Sequence, residues 1–225
     1  MSRLATLLLL AACTLAVPNP ARAQSLLFDY LGFDYESPDP LPAEFGETNS
    51  GYVGLGTVPF LFPPLVGNTA LNEYTYVMQG LTATGFTPIG NYRIITYTPG
   101  TIVIYEDPKA GGTTADFGTN PPNLTAPGTF EDGTAILEGT LTDFRFVLDT
   151  TNGTGSFEAV FNVTGGSQLG NFPLDQRIGW TFSGSSGNAL NIPEGYDHQI
   201  DGQTFLNAPT KARRTTWGRL KSEYR

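Results

Sequence analysis

Two stretches near the middle of the chain alternate residue by residue. Thr140–Asp149 reads TLTDFRFVLD and puts Phe144, Phe146 and Leu148 on one side. Gly155–Val163 reads GSFEAVFNV and puts Phe157, Ala159, Phe161 and Val163 on one side. Successive side chains of a strand point to opposite faces, so a period of two with aromatics on one side describes a strand with one face in a core. Thr151-Asn152-Gly153 lies between the two stretches, and Asn-Gly is a preferred hairpin dipeptide. The pair therefore predicts an antiparallel hairpin with an aromatic inner face.

The same pattern recurs along the chain. Glu73–Leu81 alternates Tyr74, Tyr76 and Met78 with Thr75 and Val77. Tyr92–Thr98 and Thr101–Tyr105 are β-branched and aromatic, and Pro99-Gly100 between them reads as a hairpin turn. Gly133–Gly139 reads as a further strand. Arg177–Ser183 aligns Ile178, Trp180 and Phe182, which places Trp180 in the core rather than on a binding surface. A last segment runs from Tyr196 to Leu206. Near the start, Phe28-Asp29-Tyr30 is repeated as Phe33-Asp34-Tyr35 five residues later, which suits a strand pair at a sheet edge. Pro38, Pro40 and Pro42 then impose a loop, since each lacks the ladder N–H. The apolar stretch Val58–Val66 contains Pro59, Pro63 and Pro64 and reads as a loop closing one end of the core. Residues 107–128 form a long Gly-, Thr- and Pro-rich loop.

No body segment keeps an apolar period of 3.6. The expected fold is all-β, an antiparallel β-sandwich of jelly-roll type in one domain over residues 24–210. It is preceded by an N-terminal signal helix and followed by a short C-terminal helical tail over 211–225. A small outer-membrane barrel is the competing architecture, but most of these runs are shorter than the ~9–11 residues of a membrane strand.

Composition bears on partners. Of 225 residues, 27 are Gly and 17 Pro, only 15% are charged, and the net charge is −9. The charge is unevenly distributed. Residues 24–210 keep Arg93, Lys109, Arg145 and Arg177 against an excess of acids, whereas 211–225 is basic, with Lys211, Arg213, Arg214, Arg219, Lys221 and Arg225. An acidic body offers no footprint for phosphates, which excludes nucleic acid as a partner. The single cysteine, Cys13, excludes an internal disulfide framework and any multi-cysteine metal site.

Residues 1–23 read as a secretory signal. Arg3 supplies the positive start, Leu4–Val17 is almost wholly apolar, and Ala21-Arg22-Ala23 is the small-x-small pattern of a cleavage site. The apolar run falls short of the ~20 residues needed to span a bilayer. The mature chain is thus expected to be secreted or surface-located, with no transmembrane span. Leu10-Ala11-Ala12-Cys13 also resembles a lipobox, and gives the alternative of a lipoprotein anchored through Cys13.

A longer likeness runs through residues 73–170. Tyr105-Glu106-Asp107-Pro108 is followed by Thr129-Phe130-Glu131-Asp132-Gly133-Thr134, then by Leu137-Glu138-Gly139-Thr140-Leu141 and Gly153-Thr154-Gly155-Ser156-Phe157. This order resembles the extracellular β-domain of flocculation-associated, PEP-CTERM-type bacterial surface proteins. The resemblance implies a secreted β-domain of non-catalytic type, linked to exopolysaccharide. The family's Pro-Glu-Pro sorting signal has no counterpart, since Ile192-Pro193-Glu194-Gly195 lacks the second proline and no apolar span follows it.

Few residues carry recognisable chemistry. His198, the only histidine, stands between Asp197 and Asp201. An Asp-His pair can orient an imidazole as a base, but no Gly-x-Ser-x-Gly elbow accompanies it. Its place between Gly195 and Gly202 reads as a surface loop. Glu106, Asp107, Glu131 and Asp132 sit at strand-to-loop junctions and are candidates for a weak Ca²⁺ site; no other cofactor is expected. Tyr92, Tyr97 and Trp180 are candidate stacking surfaces for a sugar. In the tail, Trp217, Leu220 and Tyr224 fall on one face of a short helix and are candidates for partner binding. The function expected is that of a secreted, non-catalytic surface or extracellular-matrix domain that binds polysaccharide or another surface protein. The alternatives are a glycan hydrolase or lyase on a jelly roll and the membrane barrel.

Overall fold

The computed structural model describes residues 22–37, 45–109, 128–188 and 192–209. The chain divides into two units. One is Gln24–Asn207, whose fold follows. The other comprises Met1–Ala23 and Ala208–Arg225, in which only the outer ends of two strands are described. The signal segment before Arg22 and the predicted helical tail, with Trp217, Leu220 and Tyr224, lie outside the described residues.

Nine strands form a single antiparallel sheet. They are β1 (Arg22–Ser37), β2 (Gly51–Leu61), β3 (Asn72–Ile89), β4 (Tyr92–Tyr97), β5 (Gly100–Pro108), β6 (Thr134–Asp149), β7 (Thr154–Gly165), β8 (Trp180–Gly187) and β9 (His198–Pro209). The expected two-sheet sandwich is not what they build. Pairing runs β1–β2–β3–β5–β6–β7–β8–β9 and returns from β9 to β1, so eight strands close a barrel. The inward periodicity of β3, β6, β7 and β8 was readable, while β2 does not read as a strand; even where it is readable, the same periodicity serves a sandwich and a barrel. What decides is whether the first strand meets the last, and no local pattern carries that.

The ninth strand corrects a second expectation. β4 and β5 do not pair with each other as a hairpin about Pro99-Gly100. They stand end to end in one column between β3 and β6. β5 pairs with Asn72–Gln79 and Thr134–Leu141, and β4 with Ala83–Ile89 and Arg145–Asp149. The true hairpin is β3–β4, where Ile89 faces Tyr92 across Gly90-Asn91 and Gly90 takes a φ of 62°. Gly133–Gly139 and Thr140–Asp149 likewise merge into one long strand, β6, with an irregularity between Thr142 and Arg145. The β6–β7 hairpin is as expected: Asp149 faces Thr154, Gly153 has a φ of 69°, and Phe144, Phe146, Leu148, Phe157, Ala159, Phe161 and Val163 are all buried.

Aromatic side chains fill the barrel. Tyr30 stacks on Phe182 at 4.8 Å between ring centres, Phe144 on Phe157 at 5.7 Å, and Phe161 meets Trp180 edge-on at 5.3 Å. An eight-stranded barrel is just wide enough for side chains to fill it, so the interior is a core and not a channel. Trp180 and Phe182 are fully buried as expected, but Ile178 precedes β8 and is 66% exposed. Between β8 and β9 the wall is thinned where Gly184 faces Gly202, and there the Tyr30 hydroxyl reaches through to donate to the Ser183 carbonyl at 2.9 Å.

A second apolar cluster covers part of the outer wall. Phe33 faces Leu55 and Tyr35 faces Val53 across β1–β2, and Leu55 faces Val77 across β2–β3; Tyr35, Leu55 and Val77 pack with Phe130 and Tyr196, with Phe33, Val53 and Ile192 at the margin. Thr75 donates to the Phe130 carbonyl at 2.8 Å and pins the 3₁₀ turn Gly128–Phe130 over this patch. The proline-rich stretch Val58–Val66 is partly strand: β2 runs through Pro59 to Leu61, and Val58 and Leu65 are buried. Gln168 then grips both the N–H and the carbonyl of Val66.

Candidate functional site

The polar chemistry of the described residues gathers at the barrel end where β8 finishes and β9 begins. The repeat in β1 explains how. Phe28-Asp29-Tyr30 and Phe33-Asp34-Tyr35 lie on one continuous strand, not on a strand pair. A spacing of five is odd, so the second copy faces the other way. Phe28 and Tyr30 point inward with the aromatic core, while Phe33 and Tyr35 point outward into the outer cluster. Asp34 therefore points in, and Glu36 follows it on the same face.

Asp34 has no solvent exposure and holds two partners. Tyr52 of β2 donates to its Oδ2 at 3.0 Å, and the His198 imidazole donates from Nδ1 to its Oδ1 at 3.0 Å. His198 is thus not a surface loop residue. It begins β9, is 7% exposed, and faces inward because Ile200, Thr204 and Leu206 of the same strand do. Its sequence neighbour Asp197 has another task and accepts the Glu36 N–H at 2.9 Å. Glu36 accepts from Tyr97 at 2.9 Å and from the Gly46 N–H at 2.8 Å. Gly46 sits at a φ of 87°, and a β-carbon there would fall 2.5 Å from the Ile95 side chain. Beside it Phe45 lies edge-on to His198 at 4.8 Å and closes the imidazole off.

Burial pushes the His198 pKa down, but the hydrogen bond and charge of Asp34, joined by the charges of Asp197 and Glu36, outweigh it and the net shift is upward. Burial raises Glu36 as well, aided by the Asp197 charge and opposed by its hydrogen bonds from Gly46, Tyr97 and Ser50. Burial also raises Tyr52 and Tyr97 well above the usual phenol value, so both stay protonated donors. A group whose folded pKa is raised stabilises the fold below its unfolded value and loses that effect as pH climbs through the folded value. For His198 the contribution is full below about pH 6.5 and disappears above. Glu36 acts in the same direction at lower pH. The melting temperature is therefore expected to fall between pH 5.5 and pH 8. In His198→Gln the fall should shrink; an equal fall in the variant would show that His198 does not carry it.

Beside this end, an open groove of about 420 Å³ follows the β8–β9 ladder. It is lined by Thr154, Ser185, Ser186, Gly187, Asn188, Gln199, Ile200 and Asp201. Ser185 donates to Asp201 at 3.2 Å. The Ser186 hydroxyl is buried and, among the described residues, makes no hydrogen bond. It is therefore not seated on the imidazole as a nucleophile on its base would be.

The other expected sites are placed as follows. Glu106 is paired with Thr134, which brings Glu106, Asp107, Glu131 and Asp132 to one end of the β5–β6 ladder. Their contacts diverge: Asn72 donates to Glu106, and Gln79, seven residues further along β3, donates to Glu131 at 3.3 Å. Among the described residues, no group of three or more His, Cys, Asp or Glu side chains is arranged to hold a metal ion. Of the stacking candidates, Tyr97 is committed to Glu36, Trp180 is buried with its indole N–H on the Gln176 carbonyl, and Tyr92 alone is exposed, near the tip of the β3–β4 hairpin. No protein-family model, curated protein or solved structure matches the chain. The site must therefore be read from its own residues. Asp34, Tyr52 and Phe45 were missed in the sequence. The one available signal was the odd spacing of the Phe-Asp-Tyr repeat, which sends a lone carboxylate to the aromatic face.

Proposed function

We propose that the chain is an exported, non-catalytic β-barrel domain of the bacterial surface or extracellular matrix that binds polysaccharide. The observation that carries this reading is the division of labour in the barrel. The interior is packed with aromatics, and its one Asp–His pair is sealed beneath Phe45. Recognition is left to open, hydroxyl- and amide-lined grooves on the wall. An enzyme would need a cleft in which a nucleophile, a base and their orienting groups converge. The Asp34–His198 pair supplies a base and its orienter, but it is spent on Tyr52 and on holding β1 against β9.

Export is supported by Arg3, the apolar run Leu4–Val17 and Ala21-Arg22-Ala23. The outward faces speak for an aqueous setting over a membrane barrel. Glu138, Thr140, Thr142 and Arg145 of β6, Ser156, Glu158 and Asn162 of β7, and Gln199, Asp201 and Gln203 of β9 occupy positions where a lipid-facing belt would need apolar side chains. In this reading the basic tail over 211–225, whose Trp217, Leu220 and Tyr224 have the spacing of one helical face in the sequence, retains the domain at the surface.

Sedimentation of the purified chain with insoluble polysaccharides tests the proposal. Retention on at least one of them, with no release of reducing sugar on long incubation, is expected. Release of sugar would replace the reading with a glycan-active enzyme, and no retention on any would remove the polysaccharide partner.

A further inference from the structure

We infer that the β8–β9 groove is the sugar site and that it takes a short stretch of neutral polysaccharide; this rests on the polysaccharide reading above. Three features of the groove point there. Its volume of about 420 Å³ falls within the range of small-molecule sites, roughly 300–1,000 Å³. Its outward polar lining is Thr154, Ser185, Asn188, Gln199 and Asp201. Hydroxyls and amides both donate and accept, which is what a sugar ring needs, since each of its hydroxyls does both. The bare backbone of Gly187, cross-strand from Gln199 and with open space above it, leaves room for the C–H face of a ring.

The charge pattern selects neutral over acidic sugars. The lining contains no lysine or arginine, and its one ionisable group is the Asp201 carboxylate. Ser185 fixes that carboxylate on one oxygen, leaving the other to accept from a sugar hydroxyl. A uronate or sulfated unit would meet this carboxylate and the acidic body around it, and would be repelled.

The test is isothermal titration of the full chain with maltohexaose, cellohexaose, mannohexaose and, as the acidic counterpart, hexagalacturonate. Binding of at least one neutral hexasaccharide is expected, with hexagalacturonate silent. Asp201→Ala and Gln199→Ala both alter outward side chains of β9. Each should weaken binding by at least about tenfold while leaving the melting temperature in place. Glu158→Ala, in the neighbouring outer groove, should bind as the parent does. Binding that survives both β9 variants would overturn the groove assignment while leaving the polysaccharide reading intact. Binding of hexagalacturonate alone would overturn the neutral class. Silence toward every hexasaccharide, together with no retention on insoluble polysaccharides, would overturn both.

Discussion

Replacing Asp34 by alanine is expected to cost about 3–5 kcal/mol of folding stability, the usual penalty for removing one member of a buried ion pair. In a domain of this size that is a fall of roughly 10 °C or more in melting temperature. Asp34 joins β1 to β9 through His198 and β1 to β2 through Tyr52. Its loss leaves an imidazole and a phenol in an apolar interior with no acceptor. Asp34→Asn should cost less, because an amide oxygen still accepts from one of the two. The double variant Asp34→Ala/His198→Ala should be less damaged than the sum of the singles, because removing both members leaves no orphan imidazole. Equilibrium urea unfolding measures all of these. A loss below about 1 kcal/mol for Asp34→Ala would mean that the pair is solvated and that the seal under Phe45 is not closed.

Gly202→Ala is the second large effect, and it arises from shape rather than charge. A β-carbon at Gly202 would lie 2.2 Å from the Tyr30 hydroxyl oxygen and 2.4 Å from the Ser183 carbonyl oxygen. The side chain has no flexible neighbour to displace, because Tyr30 is stacked on Phe182 and the other contact is backbone. A cost at the upper end of overpacking, about 3 kcal/mol, is expected. Adding Tyr30→Phe should restore part of it by removing the hydroxyl, but not all, since the carbonyl remains. Gly187→Ala serves as the control: no atom lies within 4 Å of the added carbon, and the change should stay within about 0.5 kcal/mol. Equal tolerance of both alanines in urea unfolding would contradict the thin wall at Gly184 and Gly202.

The strand faces were readable because alternation is a local signal. Phe144, Phe146, Phe157 and Phe161 could be assigned to the core from the sequence and are buried. Connectivity was less readable. Pro99-Gly100 has the composition of a turn, yet the chain passes straight through it from β4 to β5, because β3 and β6 are each long enough to hold both strands. Closure depends on a pairing between residues near the two ends of the chain, which no window of sequence contains. The polar end was least readable. His198 looked like a loop residue because Gly195 and Gly202 flank it, while the carboxylate that fixes it lies 164 positions earlier. A single His and a single inward Asp carry no spacing that marks them as partners.

The seam between β1 and β9 has a consequence in time. The barrel cannot be completed until the last strand has left the ribosome, and its final step joins segments of very large sequence separation. Such closure is slow, because the entropy of bringing distant segments together is spent before any contact rewards it. Until then β1 has only one neighbour. In the proposed exported setting that delay has a use, because a barrel that cannot close before β9 is made would stay threadable through a secretion channel and lock only on the far side.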